Sequence, residues 1–108
     1  MMKIKEIKNG SKDVEVEATV KEVTEPRNVQ TKFGPSQVAS AILDDGSGKI
    51  KLTLWGSKIS EVKKGDRVKV VGAYVTEWNN ELQLNVPKTG EMIIEGDGAE
   101  DEPFFEEE

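Results

Sequence analysis

The run Lys49-Ile50-Lys51-Leu52-Thr53-Leu54-Trp55-Gly56 alternates strictly. On an extended chain Ile50, Leu52 and Leu54 take one face, and Lys49, Lys51, Thr53 and Trp55 take the other. The first set suits a core. The second sets an indole beside two ammonium groups in water, which is the chemistry of a stacking platform. A nucleotide offers a flat π-face next to a phosphate, and an aromatic plane with a cation a few Å away matches both.

Other residues extend this constellation. Tyr74 and Trp78 share the parity of Thr76 near the end of a later apolar run, and Phe33 stands in a loop with Gly34 and Pro35. Arg27, Lys32, Lys49, Lys51 and Lys69 are candidate phosphate partners, while Gln83 and Asn85 can hydrogen-bond base edges or sugar. Each aromatic also has a structural reading. Trp55 can pack under a short helix, Tyr74 can belong to a barrel wall, Trp78 can cover a barrel mouth, and Phe33 can anchor its loop.

Composition narrows the function classes. The chain of 108 residues has room for one small domain, and it contains no histidine and no cysteine. That removes thiol nucleophiles, disulfides, the usual zinc ligands and the usual neutral-pH base. An enzyme would have to rely on carboxylates such as Asp44 and Asp45, which a turn leaves without the burial that tunes a catalytic pKa. We therefore expect a non-enzyme with no cofactor and no metal. No apolar run approaches the roughly 20 residues of a membrane span and no secretory leader pattern opens the chain, so the expected location is the cytoplasm. The net charge of −6 is unevenly spread: up to Ile94 there are 15 Lys and Arg against 13 Asp and Glu, and beyond it 8 acids and no base. A slightly basic body with an acidic appendage is expected, divided as residues 1–94 and a disordered tail over 95–108.

The elements that must hold the aromatics follow from periodicity. Ile4 and Ile7 predict a short lead-in turn packed on the domain. Val14, Val16, Ala18 and Val20 alternate with polar residues as a first strand. The polar stretch from Glu25 to Pro35 reads as an irregular loop or twisted strand ends. Gln37 to Leu43 is a second strand whose pattern fits either face, with Ala39, Ala41 and Leu43 inward the favoured phase. Asp44 to Gly48 turns it into the third strand, which ends at Trp55. Ser57 as N-cap, Ile59, Val62 and Gly65 predict at most a short helix over 58–64. In the fourth strand, Asp66 to Thr76, Val68 and Val70 have one parity and Val71, Ala73 and Val75 the other, so a bulge is expected near Gly72. After a turn at Asn79-Asn80, Leu82, Leu84 and Val86 form the fifth strand, which Pro87 ends. This order predicts an all-β OB-fold, a five-stranded Greek-key barrel with a short helical segment between the third and fourth strands, against an SH3-like barrel as the competing architecture.

Three segments carry a resemblance. Arg27-Asn28-Val29-Gln30-Thr31-Lys32-Phe33-Gly34, the block from Asp44 to Gly56, and Leu82-Gln83-Leu84-Asn85 resemble the archaeal single-stranded DNA-binding proteins, single-OB relatives of replication protein A. The likeness spans about residues 10 to 90. It implies binding of single-stranded DNA with little sequence preference, through aromatics matching Trp55, Tyr74 and Trp78, and it adds Gln30 and Thr31 to the contact set. Trp78 stands where such proteins commonly have Phe, and Phe33 where a small polar residue is common. The tail segment Asp101-Glu102-Pro103-Phe104-Phe105 looks like the acidic ends by which bacterial single-stranded DNA-binding proteins recruit partners, although here Glu106 to Glu108 follow. The resemblance thus implies replication or repair proteins as partners through Pro103, Phe104 and Phe105. Single-stranded RNA as the ligand, or a purely protein-binding OB-fold, are the alternatives, and a monomer is the expected state.

Overall fold

A computed structural model describes residues 1–97. Seven strands and one short helix follow in the order β1 (Val14–Val23), β2 (Arg27–Thr31), β3 (Gly34–Asp44), β4 (Lys49–Trp55), α1 (Lys58–Glu61), β5 (Asp66–Trp78), β6 (Glu81–Asn85) and β7 (Glu91–Asp97). The strands pair as β1-β3-β4-β6-β5, and β1 also pairs with β5, so the sheet closes on itself. All neighbours are antiparallel except β4 and β6, which run parallel at Lys51–Gln83 and Leu52–Leu84. These five strands are the ones that periodicity predicts, with the helix after the third of them, as an OB-fold requires.

Closure puts one apolar face of each of these five strands inside. Val14, Val16, Ala18 and Val20 from β1, Ala41 and Leu43 from β3, Leu52 and Leu54 from β4, Val68, Val70 and Ala73 from β5, and Leu84 from β6 are buried together. The favoured phase of the second predicted strand is thus the observed one. Val62 is buried in the same core just after α1, and Ile59 of α1 packs against it. Ser57 precedes that helix, but its hydroxyl makes no capping hydrogen bond, and its carbonyl instead accepts one from the Ser60 hydroxyl at 3.1 Å. Ile4 and Ile7, held by a 3-10 turn at Ile4–Glu6, are buried in the same core.

The bulge lies where the parity slip predicts it. Val14 pairs with Ala73 but Val16 pairs with Val70, so β5 spends one more residue than β1 over this stretch. Gly72 takes up the difference at φ +75°, a left-handed conformation that favours glycine. Before the bulge even-numbered residues of β5 face the core, and after it odd-numbered ones do.

Two strands were not predicted. The stretch from Glu25 to Pro35 is no irregular loop: Arg27–Thr31 pairs with Gly34–Val38 as a hairpin turning at Lys32 and Phe33. Its polar character conceals the strand because neither face of this hairpin enters the core. The other is β7, hidden by Pro87. After the break Pro87–Gly90, the chain resumes along β5, pairing Glu91 with Val71 and Asp97 with Asp66, and it buries part of Met92 and Ile94 against the core. Regular structure therefore continues three residues past Ile94, where composition divides body from tail. Among the described residues no helix is long and apolar enough to cross a membrane. Pro103, Phe104 and Phe105 lie outside the described residues.

Candidate nucleic-acid interface

The outer surface of β3, β4, β6 and the second half of β5 is one face whose rows follow from the register. Val38 of β3 lies between Arg27 of β2 and Trp55 of β4, so cation and indole share a row. Further along, Lys51 lies between Ile42 and Gln83, and Gln83 pairs on with Thr76. Asn85 is opposite Tyr74, and Glu81 is opposite Trp78. The bulge at Gly72 is what brings Tyr74, Thr76 and Trp78 to this face, by switching the parity of β5.

A groove of about 620 Å³ runs over it. Of the predicted residues it gathers Trp55, Trp78, Arg27, Lys51, Gln83 and Asn85, together with Thr24, Val29, Val38, Ala39, Ser40, Thr53 and one carboxylate, Glu25. Both indoles stand in solvent, Trp55 at 49% and Trp78 at 65% exposure. For side chains of that size such exposure leaves apolar area uncovered by the other described residues. Lys51 Nζ is held 3.0 Å from Glu81. The Asn85 amide is oriented by donation to Thr76 Oγ1 at 3.1 Å and to the Gln83 carbonyl at 3.3 Å. Trp78 is positioned by the turn it opens, in which Asn79 and Asn80 both take positive φ, the conformation of a two-residue type I′ hairpin.

The remaining candidates lie apart from the groove. Tyr74, at 44% exposure, is on the same face but beyond the groove wall. Lys49 lines a smaller hollow beside Lys51 and Asn80. Gln30, Lys32 and Phe33 sit at the free end of the β2–β3 hairpin, with Phe33 at 90% exposure and Lys32 Nζ 5.4 Å from its ring centre. The Thr31 hydroxyl is occupied by the turn, donating to the Gly34 carbonyl at 2.7 Å and accepting from the Phe33 N–H at 3.1 Å. Lys69 is not brought to this face at all. It precedes the bulge, lies in register with Glu17 of β1 and Ile93 of β7, and pairs with Glu15 at 3.4 Å. Residue types did not reveal Val29, Ser40 or Thr24 as groove residues; the parity of Thr53 relative to Trp55 was the one available signal for that wall.

Asp44 and Asp45, the carboxylates on which a catalytic reading would rest, are spent on their turn. Asp44 Oδ1 accepts from the Gly46 N–H, and Asp45 accepts from the Ser47 N–H and hydroxyl and, through Oδ2, from the Ile4 N–H. Burial pushes the Asp45 carboxyl up, but the Ser47 hydroxyl and the N–H groups of Ile4, Ser47 and Gly48 outweigh it and hold the group below the ordinary range.

Residues 14–91 match the family model described as the OB-fold nucleic acid binding domain. The chain is 37% identical over 83 residues to the single-stranded DNA binding protein Ssb of Saccharolobus solfataricus, covering 77% of this chain and 56% of that one. It is 29% identical over 111 residues to Replication factor A of Methanothermobacter thermautotrophicus, covering 98% of this chain and 14% of that one. It therefore spans about half of the first relative and a small part of the second. Among solved structures, a domain of replication protein A from Methanococcus maripaludis superposes with a TM-score of 0.71 at 28% identity, over 90% of this chain and 97% of that one. An OB domain from Thermoplasma acidophilum gives a TM-score of 0.74 at 17% identity over 86% and 84% of the two chains, a likeness of fold alone. With a closed barrel in the expected strand order and a family match across nearly all of it, this chain belongs to the OB-fold nucleic acid binding domains.

Proposed function

We propose that this protein binds single-stranded DNA with little sequence specificity and protects it during replication and repair. The observation that supports this most is the pair of solvent-exposed indoles, Trp55 and Trp78, on one groove with Arg27 and Lys51 beside them. Unpaired bases lie on the rings, cations take the phosphates, and Gln83 and Asn85 hydrogen-bond whichever edge or sugar is presented. Tyr74 extends the stacking surface, Lys49 extends the phosphate path, and the hairpin bearing Gln30, Lys32 and Phe33 folds over the strand. Duplex DNA binds far more weakly, because paired bases cannot splay onto the rings. The names of the archaeal relatives agree with this reading.

The protein acts as a cytoplasmic monomer covering about 4 to 6 nucleotides, the low end for one OB-fold. Its acidic tail, through Pro103, Phe104 and Phe105, recruits replication or repair proteins and, when free, competes for the basic groove. Removing residues 98–108 leaves β7 whole; unchanged DNA affinity at low salt in that variant would eliminate the competition. The reading as a whole is tested by titrating dT and rU oligomers of graded length while following tryptophan emission. Quenching by dT is expected. Tighter binding of rU would turn the assignment to RNA, and no quenching by either would leave an OB-fold that serves protein contacts.

A further inference from the structure

A second hollow opens on the other side of Trp55. It occupies about 450 Å³ between the end of β4 and the β6–β7 connection, walled by Trp55, Val86, Pro87, Met92 and Ile93. Its origin is the short parallel pairing of β4 with β6. That pairing ends at Leu52–Leu84, after which β4 runs on to Trp55 while β6 gives way to Pro87–Gly90, and the two chains part. The connection is pinned on its far side, since a Cβ on Gly90 would lie 2.7 Å from the Val71 carbonyl oxygen. The hollow is therefore a built gap in the barrel wall.

Its chemistry is two-part. The walls are apolar, and Ile93 remains 42% exposed there among the described residues. Lys58 and Lys88 also line it with the carboxylate of Glu91, and Lys58, paired with Glu61 at 3.6 Å, must exchange that partner for a phosphate. Apolar walls with cations fit a ligand having a flat apolar portion and an anionic one, and the volume is that of a small-molecule pocket. The hollow adjoins the groove, with Trp55 and Thr53 forming the wall between them.

We infer that this hollow is a nucleotide subsite: a single strand lying in the groove passes Trp55 and lodges its next base among Trp55, Pro87, Met92 and Ile93, with Lys58 and Lys88 taking the adjoining phosphates. The inference rests on the proposed binding of single-stranded nucleic acid and adds a place along its path. It makes Trp55 the divider between two base positions. It also gives a role to Lys88 and Ile93, which the groove does not use.

The experiment titrates the full chain with dT oligomers lengthened one nucleotide at a time. Two variants, Lys58→Ala/Lys88→Ala and Ile93→Glu, each alter exposed side chains only. Wild type gains affinity in a final step once the oligomer is long enough to pass Trp55. In both variants that step shrinks by at least about fivefold, the lower end of what stacking one base is worth, while the shortest binding oligomer is held within about twofold of wild type. The short oligomer also reports that the variants are folded. A final step of wild-type size in both variants, as expected if the hollow serves an apolar peptide, overturns the subsite, and so does an equal loss at every length. Absence of binding by wild type at any length would instead overturn the proposed function itself.

Discussion

Trp55 is the residue whose environment is most nearly written in its neighbours. Its parity against Ile50, Leu52 and Leu54 predicts exposure, and exposure is what the barrel gives it. Alternation is a local property, so three aliphatics on one side suffice to turn the fourth side chain outward. Lys69 is the counterexample. Its outward parity is equally legible, but which side of a closed barrel it faces depends on the bulge three residues later and on Glu15 of a distant strand. The pairing of Lys51 with Glu81 and the engagement of the Thr31 hydroxyl by its own turn were likewise invisible in residue types. Trp55→Ala and Trp78→Ala are each expected to weaken dT binding by about 1–3 kcal/mol, the worth of one stacked base. Neither should lower the melting temperature appreciably, because the rings contribute little to the core. Calorimetric titration beside thermal unfolding measures both quantities, and a stability loss matching the binding loss would assign the indoles to packing.

At the level of elements, the strands with one buried face were legible and the others were not. Neither β2 nor the part of β3 that pairs with it adds a side chain to the core cluster, and β7 was masked by the proline before it. What fixes β7 is a backbone contact that no periodicity reports. Gly90 lies so close to the bulge that its Cα is 3.2 Å from where a Cβ on Gly72 would stand. Gly90→Ala is expected to destabilise the domain by about 1–3 kcal/mol, the usual cost of forcing extra volume into a closed contact. Chemical denaturation should detect it as a lower midpoint with an unchanged slope. The turn after β3 makes a second prediction. The Asp45 carboxyl, held below its ordinary range, ties the N-terminal turn to the barrel through the Ile4 N–H. A group depressed in the folded state stabilises at pH values above its unfolded pKa, and that contribution disappears as pH falls through the folded value. The melting temperature of Asp45→Ala should therefore lie below wild type at neutral pH, and the gap should close as pH falls below about 4, where an unperturbed Asp titrates. A gap that is constant with pH would contradict the linkage.

For the whole molecule, the distribution of charge matters more than its sum. The body up to Ile94 is close to neutral while the acids crowd the end, so no large cationic field surrounds the groove. Lys51 must also exchange Glu81 for any phosphate it takes. Binding is thus expected to lean on stacking, with log K against log salt falling with a slope of about −2 to −3, as for three or four phosphates at −0.7 each on a single strand. A slope steeper than about −6 in salt titrations would show that Coulomb attraction dominates. The closed strand order was legible because each of its five members has an alternating or shifted apolar pattern. The groove was legible in its aromatics and not in its walls, since the walls are assembled by register between strands far apart in the chain.

The splaying of β4 from the chain that follows β6 has a mechanical consequence. A barrel with an open seam has fewer rungs to break there than anywhere else around its circumference. The backbone amides of Thr53 to Trp55 on the seam side should then exchange with solvent sooner than those laddered to β3. Softness of this kind, confined to one stretch of wall, would let the rim beside the indole widen or narrow around its cargo without disturbing the rest of the cylinder.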